Sequence, residues 1–174
     1  MTAQRNNVYL IGPMGSGKTA VGRKLAAMLG KEFIDSDAEI ERRTGVDIRF
    51  IFEKEGEQRF REREREVIAD LTTLDGVIIA TGGGAVLDPA NRERLASTGT
   101  VVYLQATVDA QLQRTQPSRN RPLLMNGDPR ATLERLIAIR QPLYEEIAHI
   151  CVDTTGRQVR AVAADVRSQL DADR

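Results

Sequence analysis

The chain has 174 residues, 41% of them hydrophobic, and its 25 basic and 25 acidic side chains cancel. That length suits one domain, residues 1–174, with a sizeable core, and the missing basic excess argues against nucleic acid as a partner. The longest aliphatic runs, Val77–Ala80 and Val101–Leu104, fall far short of a membrane span, and the polar start Met1–Asn7 lacks the apolar centre of a signal peptide.

The single cysteine, Cys151, excludes an internal disulfide and fits a reducing compartment, so the expected location is the cytoplasm. The single histidine, His149, leaves neither a zinc cluster nor a Ser–His–Asp hydrolase arrangement. Within Ile147–Val152 it reads as a structural residue at the start of a strand.

The first predicted strand, Val8–Ile11, runs into Gly12-Pro-Met-Gly-Ser-Gly-Lys18-Thr19, which matches G-x-x-x-x-G-K-[ST] in full. The glycines let successive backbone N–H groups turn inward around a phosphate, and the helix that follows adds its positive end. Lys18 reaches β- and γ-phosphate oxygens, and the Thr19 hydroxyl is a ligand for Mg²⁺. Gly15, Gly17 and Ala20 also satisfy the looser dinucleotide pattern, a weak match because Lys18-Thr19 inside it belongs to triphosphate binding. The helical pattern Ala20–Leu29 is closed by Gly30.

A second strand, Phe33–Ile34, ends at Asp35-Ser36-Asp37. Two carboxylates at that position suit the water shell of a metal and an acceptor hydroxyl. Ser36-x-x-Glu39 equally reads as a capping box for the next helix, and the two readings are compatible. Gly56–Ile68 is dense in charge, with Phe60, Glu64, Val67 and Leu71 at helical spacing, and most of its charges should face solvent.

A third strand, Val77–Ala80, ends in Thr81-Gly82-Gly83-Gly84 where a Walker B aspartate would ordinarily stand. The glycines offer either close backbone donors or merely a flexible turn. After the fourth strand, Val101–Leu104, the segment Gln116–Asp128 reads as a mobile surface loop. Its Arg119 and Arg121 are either solvated or, for Arg121 above all, delivered to a phosphoryl group by a closing lid. Pro142 should end or kink a long helix, leaving Arg140 as a terminal charge or as a group facing the site. A last strand, Ile150–Val152, ends at Asp153. Strands alternating with helices predict a parallel sheet with helices on both faces and chemistry at the strands' carboxyl ends. The guanine signature N-K-x-D is missing and Asp153-Thr-Thr-Gly156 comes too late for a switch, so a GTPase is disfavoured.

Taken in order, the phosphate loop, Phe33-Ile-Asp-Ser-Asp37, Gly56-Glu-Gln-Arg-Phe-Arg61, Thr81-Gly-Gly-Gly-Ala85, Arg121-Pro-Leu-Leu124 and Arg140-x-Pro-Leu-Tyr144 together resemble the shikimate kinase family along nearly the whole chain. The resemblance implies an α/β P-loop NTPase domain of three α/β/α layers with a five-stranded parallel sheet, similar to nucleoside monophosphate kinases. A substrate-binding segment at about 35–68 and a lid at about 113–128 would close over it. It implies transfer of phosphate from ATP to the 3-hydroxyl of shikimate, with one Mg²⁺ ion, in a monomer. Lys18, Asp37 and Arg121 would be catalytic; Asp37, Arg61, Gly82, Gly83 and Arg140 would hold shikimate, the two arginines gripping its carboxylate. Gly15, Ser16, Gly17, Lys18, Thr19, Ala20, Arg114, Arg121 and Gln158 would contact ATP, Arg114 and Gln158 at the adenine. Thr19 and Asp35 would serve the metal. Asp37 is expected to matter more by position than by its pKa, and Phe60 to anchor its helix so that Arg61 alone turns inward. A kinase for another small acid such as gluconate, or a binding protein without transfer activity, are the rival readings.

Overall fold

Residues 6–115 and 127–173 are described by the structure, a computed structural model. Five strands form one parallel sheet: β1 (Asn7–Ile11), β2 (Glu32–Asp35), β3 (Val77–Ala80), β4 (Gly99–Gln105) and β5 (Ile150–Asp153), in the order β2-β3-β1-β4-β5. Side chains alternate across the central strand. Val8 and Leu10 join Val21, Leu25, Val102, Val162 and Val166 in a core under α1 (Lys18–Leu29) and α7 (Val159–Ala172). Tyr9 and Ile11 point the other way, into a core with Ile40, Phe60, Ile68, Leu95 and Tyr144. That second layer is built by α2 (Ser36–Thr44), α3 (Ile48–Leu71), α4 (Pro89–Thr98) and α6 (Pro129–Ile147). The eight-residue α5 (Val108–Thr115) precedes residues 116–126, so Arg121 and most of the expected lid lie outside the described residues.

Chain order reverses at β1, which has β3 on one side and β4 on the other. In a parallel sheet this switch point opens a crevice at the carboxyl ends of the strands. The phosphate loop leaves β1 there, flanked by the segments leaving β2 and β3.

Two local expectations are corrected. Ser36 does not cap α2; Asp35 does, its Oδ1 accepting from the N–H groups of Asp37 (2.9 Å) and Ala38 (3.2 Å). Ser36 is buried and its Oγ accepts from Gly82 N–H, because the sheet brings β2 and β3 side by side. Pro142 does not end its helix: α6 continues to Ile147, which leaves Arg140 well inside it. His149 precedes β5 and clips it to β4, donating its backbone N–H to Val101 O and accepting from Val101 N–H at Nδ1, both at 2.9 Å.

The charged segment is part of α3, which bends sharply at Gly56 (φ 84°, ψ 169°). Eight residues span about 12 Å along a straight helix, yet the bend brings the Phe52 and Phe60 rings to 4.9 Å and pairs Arg63 with Glu55 at 2.9 Å. That φ/ψ region is open essentially to glycine alone. Gly56→Ala is therefore expected to cost about 1–3 kcal/mol of stability, read as a lower urea midpoint at unchanged slope.

Candidate active site

The phosphate loop is braced by its own residues. Lys18 Nζ donates to the carbonyls of Gly12 (2.6 Å) and Pro13 (2.9 Å), which holds the ammonium over the loop. Thr19 Oγ1 donates to Asp35 Oδ2 at 2.8 Å, so the first turn of α1 is tied to the end of β2. With its other oxygen capping α2, Asp35 is fixed at both ends. Thr19 and Asp35 thus place a hydroxyl and a carboxylate side by side, hard oxygen donors of the kind Mg²⁺ takes while keeping most of its water. Loop, Asp35, Asp37, Gly82 and Gly83 line one open cleft of about 520 Å³, with Ile48 and Arg114 at its margins.

The glycine run after β3 is where the acceptor side is assembled. A Cβ on Gly82 would stand 2.7 Å from Asp37 Oδ1 and 2.9 Å from Glu64 Oε2. One on Gly83 would lie 3.4 Å from Arg140 Nη1, and one on Gly84 would collide with the Arg61 guanidinium. Gly82 and Gly84 leave space that charged groups occupy, and Gly83 lets Arg140 lie against the backbone. The alternative of a merely flexible turn is thereby set aside. The Gly82 N–H is already taken by Ser36 Oγ, so of the two expected backbone donors only Gly83 can be retained.

Arg61 is the least exposed arginine of its run, with 18% of its side chain accessible against 49% for Arg59, 29% for Arg63 and 55% for Arg65. Phe60 is buried beneath the bend, and the Arg61 guanidinium lies 5.1 Å from its ring centre. Arg61 pairs with Glu64 at 2.9 Å and Glu57 at 3.3 Å. Arg140 is buried, contacts the Tyr144 hydroxyl and makes no ion pair among the described residues. Burial holds its guanidinium below the ordinary pKa, and the charge of Arg61 acts in the same direction. Two cations close enough to repel, one without a carboxylate, make a place for an anion.

Asp37 faces this group across Gly82. Its Oδ1 and Glu64 Oε2 are buried without a hydrogen-bond partner among the described residues. Burial, with Glu64 and Asp35 adding to it, pushes the Asp37 carboxyl up to about 7. Burial likewise raises Glu64, outweighing its pairing with Arg61.

At the nucleotide side, Arg114 donates to Gly15 O (2.9 Å) and to Thr154 Oγ1 and O (3.0 and 2.8 Å), tying the phosphate loop to the segment after β5. Ser16 is buried within the loop, and Gly15, Gly17 and Ala20 line the cleft. Gln158 is exposed at the start of α7 and is not among the cleft residues. Glu64, Ser36 and Tyr144 are the site residues whose roles sequence reading missed. Glu64 carried a signal: it occupies the apolar stripe between Phe60 and Val67.

Parallel α/β architecture with a complete phosphate loop at the switch point, facing a separate charged acceptor pocket, defines a P-loop kinase. The model of the shikimate kinase family matches residues 14–171. The chain is 58% identical over 158 residues to the shikimate kinase of Halorhodospira halophila, covering 91% of this chain and 89% of that one. It is 59% identical over 157 residues to that of Methylococcus capsulatus, covering 90% and 88%. The solved structure of shikimate kinase from Acinetobacter baumannii in complex with shikimate superposes with a TM-score of 0.96 at 48% identity, over 98% of this chain and 96% of that one. The chain belongs to the shikimate kinase family.

The raised carboxyl of Asp37 has a consequence for stability. Between pH 4 and 7 the unfolded chain gives up this proton while the folded chain keeps it. Stability is therefore lost as pH rises through that window. Asp37→Asn, in the absence of ligand and metal, should be more stable than the parent at pH 8 by roughly 2–4 kcal/mol. The gap should close toward pH 4, as read by urea unfolding of both proteins at each pH.

Proposed function

We propose that the chain transfers the γ-phosphoryl group of ATP to the 3-hydroxyl of shikimate. The observation that carries this reading is the pair of arginines, half-buried Arg61 and buried Arg140, brought to one glycine run across a cleft from the phosphate loop. A guanidinium fork suits a carboxylate, and Asp37 beside it suits a hydroxyl of the same small molecule. The amides of the Gly15–Ala20 segment cradle the β-phosphate, with Lys18 as the point charge at the β/γ oxygens. Thr19 would hold Mg²⁺, with Asp35 orienting its water shell, and the ion would supply charge neutralisation at the phosphates.

The attacking hydroxyl oxygen forms its bond to the γ-phosphorus as the bond to the β–γ bridging oxygen breaks, and ADP leaves. Asp37 takes the hydroxyl proton; with its carboxyl held near 7 it is a competent acceptor at neutral pH. Positioning and charge stabilisation supply most of the acceleration in phosphoryl transfer. Arg121 as lid arginine and the adenine contacts of Arg114 and Gln158 remain part of the proposal. So do a cytoplasmic location and a monomeric state; none of the helices described is long and apolar enough to cross a membrane.

A coupled ADP-release assay tests the assignment: shikimate should turn over and gluconate should not, with the product showing a phosphomonoester resonance by ³¹P NMR. Absence of shikimate turnover would overturn it. Arg140→Ala should raise the KM for shikimate about a hundredfold or more while the KM for ATP stays within about twofold, as expected when one of two charge-assisted contacts to a carboxylate is lost. Equal weakening of both substrates would show that Arg140 does not serve the carboxylate.

A further inference from the structure

Resting on that reading, we infer that Tyr144 is a positioning residue of the acceptor pocket, which locks Arg140 and the Gly83–Gly84 peptide into one geometry. Tyr144 is fully buried. Its hydroxyl donates to Gly83 O at 2.5 Å and also contacts the Arg140 guanidinium. Arg140 and Tyr144 are four residues apart on α6, hence on one face one turn apart. The phenol therefore uses its donor on the glycine run, which leaves its oxygen able to accept beside the arginine. Burial pushes the phenol pKa far above its ordinary value, so the hydroxyl remains a donor at any working pH.

Two further contacts make this a rigid brace. The Tyr144 ring stacks on Tyr103 of β4, with centroids 4.9 Å apart and planes 24° from parallel, which fixes where the hydroxyl points. The peptide between Gly83 and Gly84 is trans, so holding the Gly83 carbonyl toward Tyr144 turns the Gly84 N–H to the opposite side. Arg140 Nη1 stands 3.4 Å from where a Gly83 Cβ would be, so arginine and peptide are in direct register. A run of three glycines has no side chains of its own to hold its shape. Ser36 holds the run at Gly82 and Tyr144 holds it at Gly83, with the same hydroxyl lying beside the carboxylate-binding arginine.

The test is Tyr144→Phe, which keeps the ring and its stack. The KM for shikimate should rise about tenfold with kcat and the KM for ATP within about twofold, the pattern of lost uniform binding. A merely structural tyrosine would lower the melting temperature and leave the shikimate KM unchanged, and that result would overturn the inference. In an Arg140→Ala background, Tyr144→Phe should add less than about twofold, because the two act as a unit; a full multiplicative effect would count against it. Should the Phe variant not fold, the parent protein labelled with 3-fluorotyrosine gives three resonances, one for each of its three tyrosines. The Tyr144 signal, assigned with Tyr9→Phe and Tyr103→Phe, should shift on adding shikimate and not on adding ADP. A Tyr144 signal indifferent to shikimate would sink the idea. Failure of the parent protein to turn over shikimate would overturn the functional reading instead.

Discussion

The acceptor side depends on three consecutive α-carbons that carry no side chain. Gly82, Gly83 and Gly84 follow a buried strand beside the central one, and four charged groups approach them within van der Waals range. Asp37 arrives from α2, Arg61 and Glu64 from α3, and Arg140 from α6. A Cβ at Gly82 or Gly84 would displace one of them, and one at Gly83 would press on Arg140. The pocket is thus a consequence of excluded volume: the backbone is thin where the charges have to meet.

Bringing those charges together out of water is unfavourable in part, and the structure shows where. Arg61 and Glu64 pair only in part: among the described residues Arg140 has no carboxylate partner, and Asp37 Oδ1, Glu64 Oε2 and Arg61 Nε are buried without a hydrogen-bond partner. Buried charge without full compensation shifts pKa values away from their ordinary range and lowers stability. On the proposed function, an anionic substrate bearing hydroxyl groups would relieve both faults at once, its carboxylate matching the guanidinium groups and its hydroxyls donating to the free carboxylate oxygens.

The nucleotide side is built on the opposite principle. Lys18, Thr19, Asp35 and Arg114 are each already bonded to backbone or side-chain partners, so the phosphate loop is held in shape by its own neighbours. The bend at Gly56 links the halves of the site, since it folds α3 back on itself and turns one arginine of a charged run toward the glycines. A straight helix would direct the same residues elsewhere.

The phosphate loop was legible in the sequence because its chemistry is local: backbone amides, one lysine and one hydroxyl act within eight consecutive residues. The strands were legible for a similar reason, as short aliphatic runs each closed by a polar residue or glycine. Arg61 could be singled out only by resemblance, since Arg59, Arg63 and Arg65 have the same local surroundings and differ only in which way the bent helix turns them. Asp35 as cap, Ser36 as acceptor for Gly82, and Glu64 as a buried partner of Arg61 were decided by tertiary structure. Each depends on which strand or helix lies alongside, and nothing in the local pattern states that. The composition and motifs determined the fold class and the phosphate chemistry; the packing of β2, β3, α3 and α6 around three bare α-carbons decided how the acceptor charges meet, because burial and charge proximity are properties of three dimensions.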